Sequence, residues 1–104
     1  MQERRAAERF RTDFPVRWEG LRDQGRGEIC DLSALGCFVL TGADVKPGEL
    51  IRLEINFPQE TALVWGQVVY SVAEMGFALR FAFAEEADFR SLRQLIESMQ
   101  MPQS

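Results

Sequence analysis

Between Phe14 and Phe83 the chain is a succession of short apolar runs separated by a few turn-forming residues, with no helical stretch between any two of them. Parallel neighbours need a crossover of about a dozen residues or more, usually a helix. The spacing therefore argues against a parallel βαβ design and predicts an antiparallel sheet or barrel. The runs carry the period of two that strands require. Phe14-Pro-Val-Arg-Trp18 alternates apolar and polar residues, and Gly27–Cys30 resumes after the mostly polar Gly20–Gly25. Cys37–Leu40 is a short apolar run ended by Thr41-Gly42. In Leu50–Phe57 the residues Ile51, Leu53, Ile55 and Phe57 share one face, and Arg52, Glu54 and Asn56 share the other. Ala62–Val72 is β-branched and aromatic, with Gly66 as a bulge or a close backbone approach. Phe77–Phe83 closes the series, which makes about six strands.

The breaks have turn chemistry. In Lys46-Pro47-Gly48-Glu49, Pro presets φ at the first central position and Gly accepts positive φ at the second, as a type II turn demands. Glu74-Met75-Gly76 turns the chain into the last strand. The two ends differ from the middle. Residues 1–12 are mostly polar and charged, without a sustained apolar stripe, and read as a flexible arginine-rich tail or a short turn of helix leading into the domain. From Glu85 to Met99 the apolar residues Phe89, Leu92, Leu95, Ile96 and Met99 recur at helical spacing behind an acidic first turn, which complements the positive end of a helix dipole. A chain of 104 residues holds one domain. The expected organisation is a flexible segment over 1–12, a barrel over 13–83 and a helix over 84–100 that packs its apolar stripe on the barrel.

Charge and residue usage narrow the function. The net charge is −4, which disfavours nucleic acid and anionic membrane as partners. That sum hides an asymmetry: Arg4, Arg5, Arg9 and Arg11 cluster at the start, Glu85, Glu86 and Asp88 near the end. Lys46 is the only lysine, so the cationic chemistry is that of arginine, whose fork grips planar anions and guanine edges. There is no histidine, hence neither the commonest general base nor the commonest metal ligand. An enzyme is not expected: Ser33 or a cysteine would lack an activating base, and nothing marks a substrate cleft around Glu28 and Asp31. Cys30 and Cys37 lack zinc-site spacing and read as reduced, core-facing thiols of a cytoplasmic protein, on neighbouring strands where an adventitious disulfide is conceivable. No apolar run approaches the ~20 residues of a membrane helix, so no membrane insertion is expected. Trp18 and Trp65 are read as barrel packing rather than ligand-stacking platforms.

Two short motifs stand out. Arg5-Ala-Ala-Glu-Arg9 sets two arginines four apart, with Arg4 before them. Asp31-Leu-Ser33-Ala-Leu-Gly36 lies between two short strands. Each has a plain structural explanation: a solvated basic tail, and a turn closed by Asp and Ser side chains with Gly supplying positive φ. In this order, and followed by Met75-Gly-Phe-Ala-Leu-Arg-Phe81, they resemble the PilZ domain family over nearly the whole chain. Arg5 and Arg9 match that family's RxxxR motif, and Asp31, Ser33 and Gly36 match its (D/N)xSxxG motif.

The resemblance implies a six-stranded antiparallel split β-barrel with a C-terminal helix, and cyclic di-GMP as ligand rather than a cofactor or metal. It implies that Arg5 and Arg9 hold guanine or phosphate, that Asp31 and Ser33 make polar contacts to a guanine, and that Gly36 lets the backbone approach closely or turn. The ligand's two phosphodiesters and two guanines suit arginine, which bonds guanine O6 and N7 side by side or pairs with phosphate. Arg4 either serves a second, stacked ligand molecule or is a solvated side chain. The expected function is a receptor that relays the messenger to an unidentified effector protein. The alternative is a PilZ-like interaction module that no longer binds nucleotide, against which the retention of both motifs argues.

Overall fold

The computed structural model describes residues 8–100. Six strands run in the order β1 (Phe10–Glu19), β2 (Gln24–Leu32), β3 (Gly36–Leu40), β4 (Leu50–Asn56), β5 (Thr61–Val72) and β6 (Gly76–Ala84), followed by one helix, α1 (Glu86–Gln100). They form a closed barrel with neighbours β1-β2-β3-β6-β5-β4, sealed where β4 meets β1, and every pairing is antiparallel. Closure pairs each strand with a neighbour on both sides over at least part of its length.

Alternation dictates which residues fill the barrel. Ile51, Leu53 and Ile55 on β4 point inward and are fully buried, whereas Arg52 faces water. Val16, Trp18, Ile29, Leu32, Val39, Ala62, Val64, Val68, Phe77 and Leu79 complete the interior. Trp18 is a core residue, edge-on to Phe77 at 5.5 Å, with its indole N–H donated to Thr41 Oγ1 at 3.3 Å. Trp65 is not in the core. It lies half-buried on the outer wall, stacked on Phe83, its cross-strand partner. The Lys46–Glu49 turn forms as its sequence predicts, with Gly48 at φ 91° and Glu49 N–H donating to Lys46 C=O at 3.1 Å.

The helix closes one side. Leu92 and Ile96 are buried, Leu95 and Met99 pack against the core, and Phe89 is half-buried. Its start is tied down by polar bonds. β6 ends at Ala84, opposite Val64, and the next amide along β5, Leu63 N–H, donates to Asp88 Oδ1 at 3.0 Å. Ser91 Oγ donates to Glu60 Oε1 at 3.1 Å beside it.

β1 begins at Phe10, so residues 10–12, expected in the flexible segment, belong to the barrel. Phe10, Thr12 and Phe14 turn inward and Arg11 and Asp13 outward, while the pairing with β2 shifts register at a bulge. Arg11 pairs with Asp31 and Phe14 with Ile29, so β1 advances three residues while β2 advances two. Within the bulge Thr12 Oγ1 donates to Ile29 C=O at 2.6 Å.

Candidate functional site

The two motifs meet at one rim of the barrel. The bulge in β1 faces a second one in β2. Ile29 pairs with Val39 and Asp31 with Phe38, so Cys30 is the extra residue without a partner on β3. Bulges re-aim side chains and concentrate beside functional sites. Here Ile29 and Leu32 both reach the core, and Asp31 between them is left half-exposed at the rim. Arg9, just before β1, donates from Nη1 to both Asp31 oxygens, at 2.9 and 3.1 Å. The second arginine of RxxxR and the aspartate of DxSxxG are therefore in direct contact across 22 residues. Arg4 and Arg5 lie outside the described residues.

After Asp31 the chain turns. Ser33 N–H donates to Gly36 C=O at 2.9 Å, and Ser33 Oγ accepts from the N–H groups of Leu35 and Gly36 at 3.1 and 3.3 Å. Ser33 is 5% exposed, so its hydroxyl is spent inside the turn rather than presented to solvent. Gly36 is not at positive φ, contrary to the turn explanation of the motif. It is glycine because β6 comes close: a Cβ there would lie 2.0 Å from the Leu79 carbonyl oxygen. Leu35, at the tip, is half exposed, and its carbonyl accepts from Phe81 N–H at 2.8 Å. The turn is thus laced to β6.

Two further arginines stand at this rim. Arg11 is the register partner of Asp31, and Arg80 on β6 is the register partner of Gly36; both are exposed. Sequence spacing points to neither as a site residue. Arg11 falls outside RxxxR, and Arg80 belongs to a strand that reaches the motif only through the barrel's pairing. The signal for Arg80 is the Arg80-Phe81 pair of the last strand, whose role emerges once Gly36 is seen beside it. Arg9 thus bonds the Asp31 carboxylate, Arg11 is its register partner and Arg80 stands beside the neighbouring turn, a setting for a ligand that carries negative charge and offers hydrogen-bond donors to Asp31.

Cys30 and Cys37 are both free. Cys37 faces the core as expected, paired across the ladder with Leu32, while Cys30 is half-buried in the bulge. Burial pushes the Cys37 thiol far above its ordinary pKa, with the negative charge of Asp31 as the next cause. Cys30 is raised by burial and then by Asp31. Neither is an activated nucleophile.

The sequence matches a family model described as the PilZ domain over residues 3–98. Among solved structures, the Bacillus subtilis inhibitor of motility (MotI/DgrA) is similar, with a TM-score of 0.74 and 21% identity, over 90% of this chain and 50% of that one. The chain thus spans half the length of that protein. The PilZ domain of CeSA from a cellulose-synthesizing bacterium is also similar, with a TM-score of 0.72 and 14% identity, over 91% of this chain and 100% of that one. At these identities both likenesses speak for the fold alone. No curated protein matches the chain.

Proposed function

The chain belongs to the PilZ domain family, cyclic di-GMP-binding adaptors that are typically not enzymes, and from that premise we propose that it is a cyclic di-GMP receptor acting on a partner protein. The observation that carries this reading is the contact between Arg9 and Asp31, which joins the two motifs at one rim. In the structure each group satisfies the other. A guanine offers Asp31 the N1 and N2 protons that Arg9 now supplies, and offers Arg9 the O6 and N7 acceptors or a phosphate in exchange for the carboxylate. Binding is then an exchange of partners, with little net desolvation cost for either charge.

Arg5 supplies the second guanidinium of the segment, and Arg4 a third for a second stacked ligand. Arg80 and Arg11 add positive field at the rim. The part assigned to Ser33 and Gly36 is to hold the turn in shape, Ser33 through its bonds within the turn and Gly36 by letting β6 approach. With the ligand bridging barrel and segment, the arginine segment lies over the rim and presents a new surface to the effector.

Calorimetric titration of the chain with cyclic di-GMP, beside GMP and an Arg9→Ala variant, tests the reading. Saturable micromolar or tighter binding, lost with GMP and in the variant, supports it, and the stoichiometry decides the part played by Arg4. A folded protein with no binding overturns it and leaves a protein-interaction module.

A further inference from the structure

At the far end of the β1–β2 hairpin the outer wall carries a second group of arginines that the proposed cyclic di-GMP site does not use. Arg17 on β1 stands directly opposite Arg26 on β2 and, on its other side, Glu54 on β4. One pleat further on, Glu19 stands between Gln24 and Arg52. These six residues line one concavity of about 320 Å³ on the barrel's outside. From the Arg17–Arg26 pair to the Arg11–Asp31 pair is six residues along β1, roughly 20 Å at strand rise, so the two sites are separate.

The charges in this hollow are unequally matched. Arg52 donates to Glu19 Oε1 at 3.3 Å. Among the described residues neither Arg17 nor Arg26 is ion-paired, although Glu54 is the register neighbour of Arg17. Like charges directly opposite on antiparallel strands cost stability. The backbone of Arg26 is held by a threonine that also bonds the buried core. Thr41 Oγ1 donates to Arg26 C=O at 3.1 Å and accepts from the indole N–H of the buried Trp18 at 3.3 Å. Two guanidiniums are thus brought side by side over one hollow, each with donors unspent on a carboxylate.

We propose that this hollow is a second anion site, taking a phosphate-type oxyanion between Arg17 and Arg26. A tetrahedral dianion offers each guanidinium fork a pair of oxygens and cancels the repulsion between the two cations. The Gln24 side-chain amide adds a neutral donor at the rim. Glu19 and Glu54 flank the pair and disfavour an extended polyanion, so the site is fitted to one compact phosphate group rather than to nucleic acid.

The test is an NMR titration of the full chain with inorganic phosphate at constant ionic strength, read on the arginine side-chain N–H signals, with sodium chloride as the control. Arg17 and Arg26 should shift together and saturate. Arg17→Gln and Arg26→Gln should each weaken phosphate binding about tenfold, the effect of one lost charge-assisted bond. Both residues are exposed, and an unchanged amide spectrum verifies each variant's fold. Arg9→Ala should bind phosphate as the wild type does, and Arg17→Gln should keep its cyclic di-GMP affinity, so this site and the rim site fail or stand separately. Shifts that chloride reproduces, that never saturate, or that persist in the doubly substituted Arg17→Gln, Arg26→Gln chain overturn the proposal.

Discussion

Arg9 and Asp31 are joined by a single guanidinium nitrogen, Nη1, shared between both carboxylate oxygens at 2.9 and 3.1 Å. The pair is open to water, with the arginine side chain 65% and the aspartate 30% exposed. An ion pair in that setting contributes about 0–1 kcal/mol to stability. Holding the barrel together is therefore a minor part of its role. Its weakness suits the proposed site, in which a ligand would compete for both ends.

Arg9→Ala and Asp31→Asn should accordingly leave the urea midpoint nearly unchanged, within about 1 kcal/mol of unfolding free energy. Each should lower cyclic di-GMP affinity about tenfold or more, since a charge-assisted hydrogen bond contributes roughly 1.5–3 kcal/mol and about 1.4 kcal/mol is tenfold. Asp31→Asn is the sharper probe. Its amide keeps one acceptor oxygen where a guanine presents two donors side by side. Denaturation and calorimetry on the same preparations separate the two effects, and a large stability loss would mean that the pair is structural after all.

Arg80 should matter to the ligand although it lies in neither motif. It stands opposite Gly36, and the neighbouring Phe81 N–H bonds the turn at Leu35, so its guanidinium is carried on the strand that braces the site. Arg80→Ala should weaken cyclic di-GMP binding about tenfold at low salt, with less effect as salt screens its field. Arg80→Lys should recover part of the loss if charge is what counts, and little if the fork is needed. Calorimetry at two salt concentrations distinguishes these outcomes.

The strands and the helix were legible because their signals are local. Ile51, Leu53 and Ile55 alternate with polar neighbours, and Leu92 and Ile96 sit one helical turn apart. The start of β1 was missed although Phe10, Thr12 and Phe14 alternate with exposed Arg11 and Asp13, because polar Thr12 stands on the inward face and the charged residues around it resemble the segment before them. Trp65 packs on the barrel as read, but the face it takes was not legible. A tryptophan in an apolar run looks like core, but the pleat sets it outward, where Phe83 covers it. The motif residues were visible as types and spacings, whereas their division of labour was not. A turn closed by the Ser33 side chain was one reading the motif offered, and its Oγ is indeed used within that turn, whereas that Gly36 is needed for approach rather than for positive φ follows only from where β6 passes. Arg11 and Arg80 reach the rim by strand register, which a linear sequence does not display.

The division of labour in the turn has its own test. Gly36→Ala would set a methyl 2.0 Å from the Leu79 carbonyl oxygen, so β3 and β6 must separate. The variant should lose about 1–3 kcal/mol in denaturant unfolding even without ligand, the usual cost of forced overpacking. Gly42→Ala is the control. Nothing lies within 4 Å of its Cβ position and its φ is not positive, so that variant should be neutral or gain up to about 1 kcal/mol. Equal stability in the two variants would refute the close-approach account.

Cys37 ties stability to alkaline pH. Its thiol is buried and pushed far above the ordinary value of 9.0, so it stays protonated in the folded chain while the unfolded chain releases the proton near that value. Above about pH 9 the folded state therefore binds more protons than the unfolded one, and unfolding free energy must fall as pH rises. Below that pH the contribution is fully present. The decline tends toward about 1.4 kcal/mol per pH unit for this one group. Urea denaturation at pH 8, 9 and 10 should show it. Cys37→Ala should make the slope shallower whatever it does to stability at pH 8, because the slope reports the proton and the offset reports the packing. A thiol reagent at pH 8 supplies the matching kinetic observation: Cys37 should react only as fast as the barrel opens. An unaltered slope in Cys37→Ala, or prompt labelling of Cys37 in the folded chain, would show that this thiol is not sealed in the core.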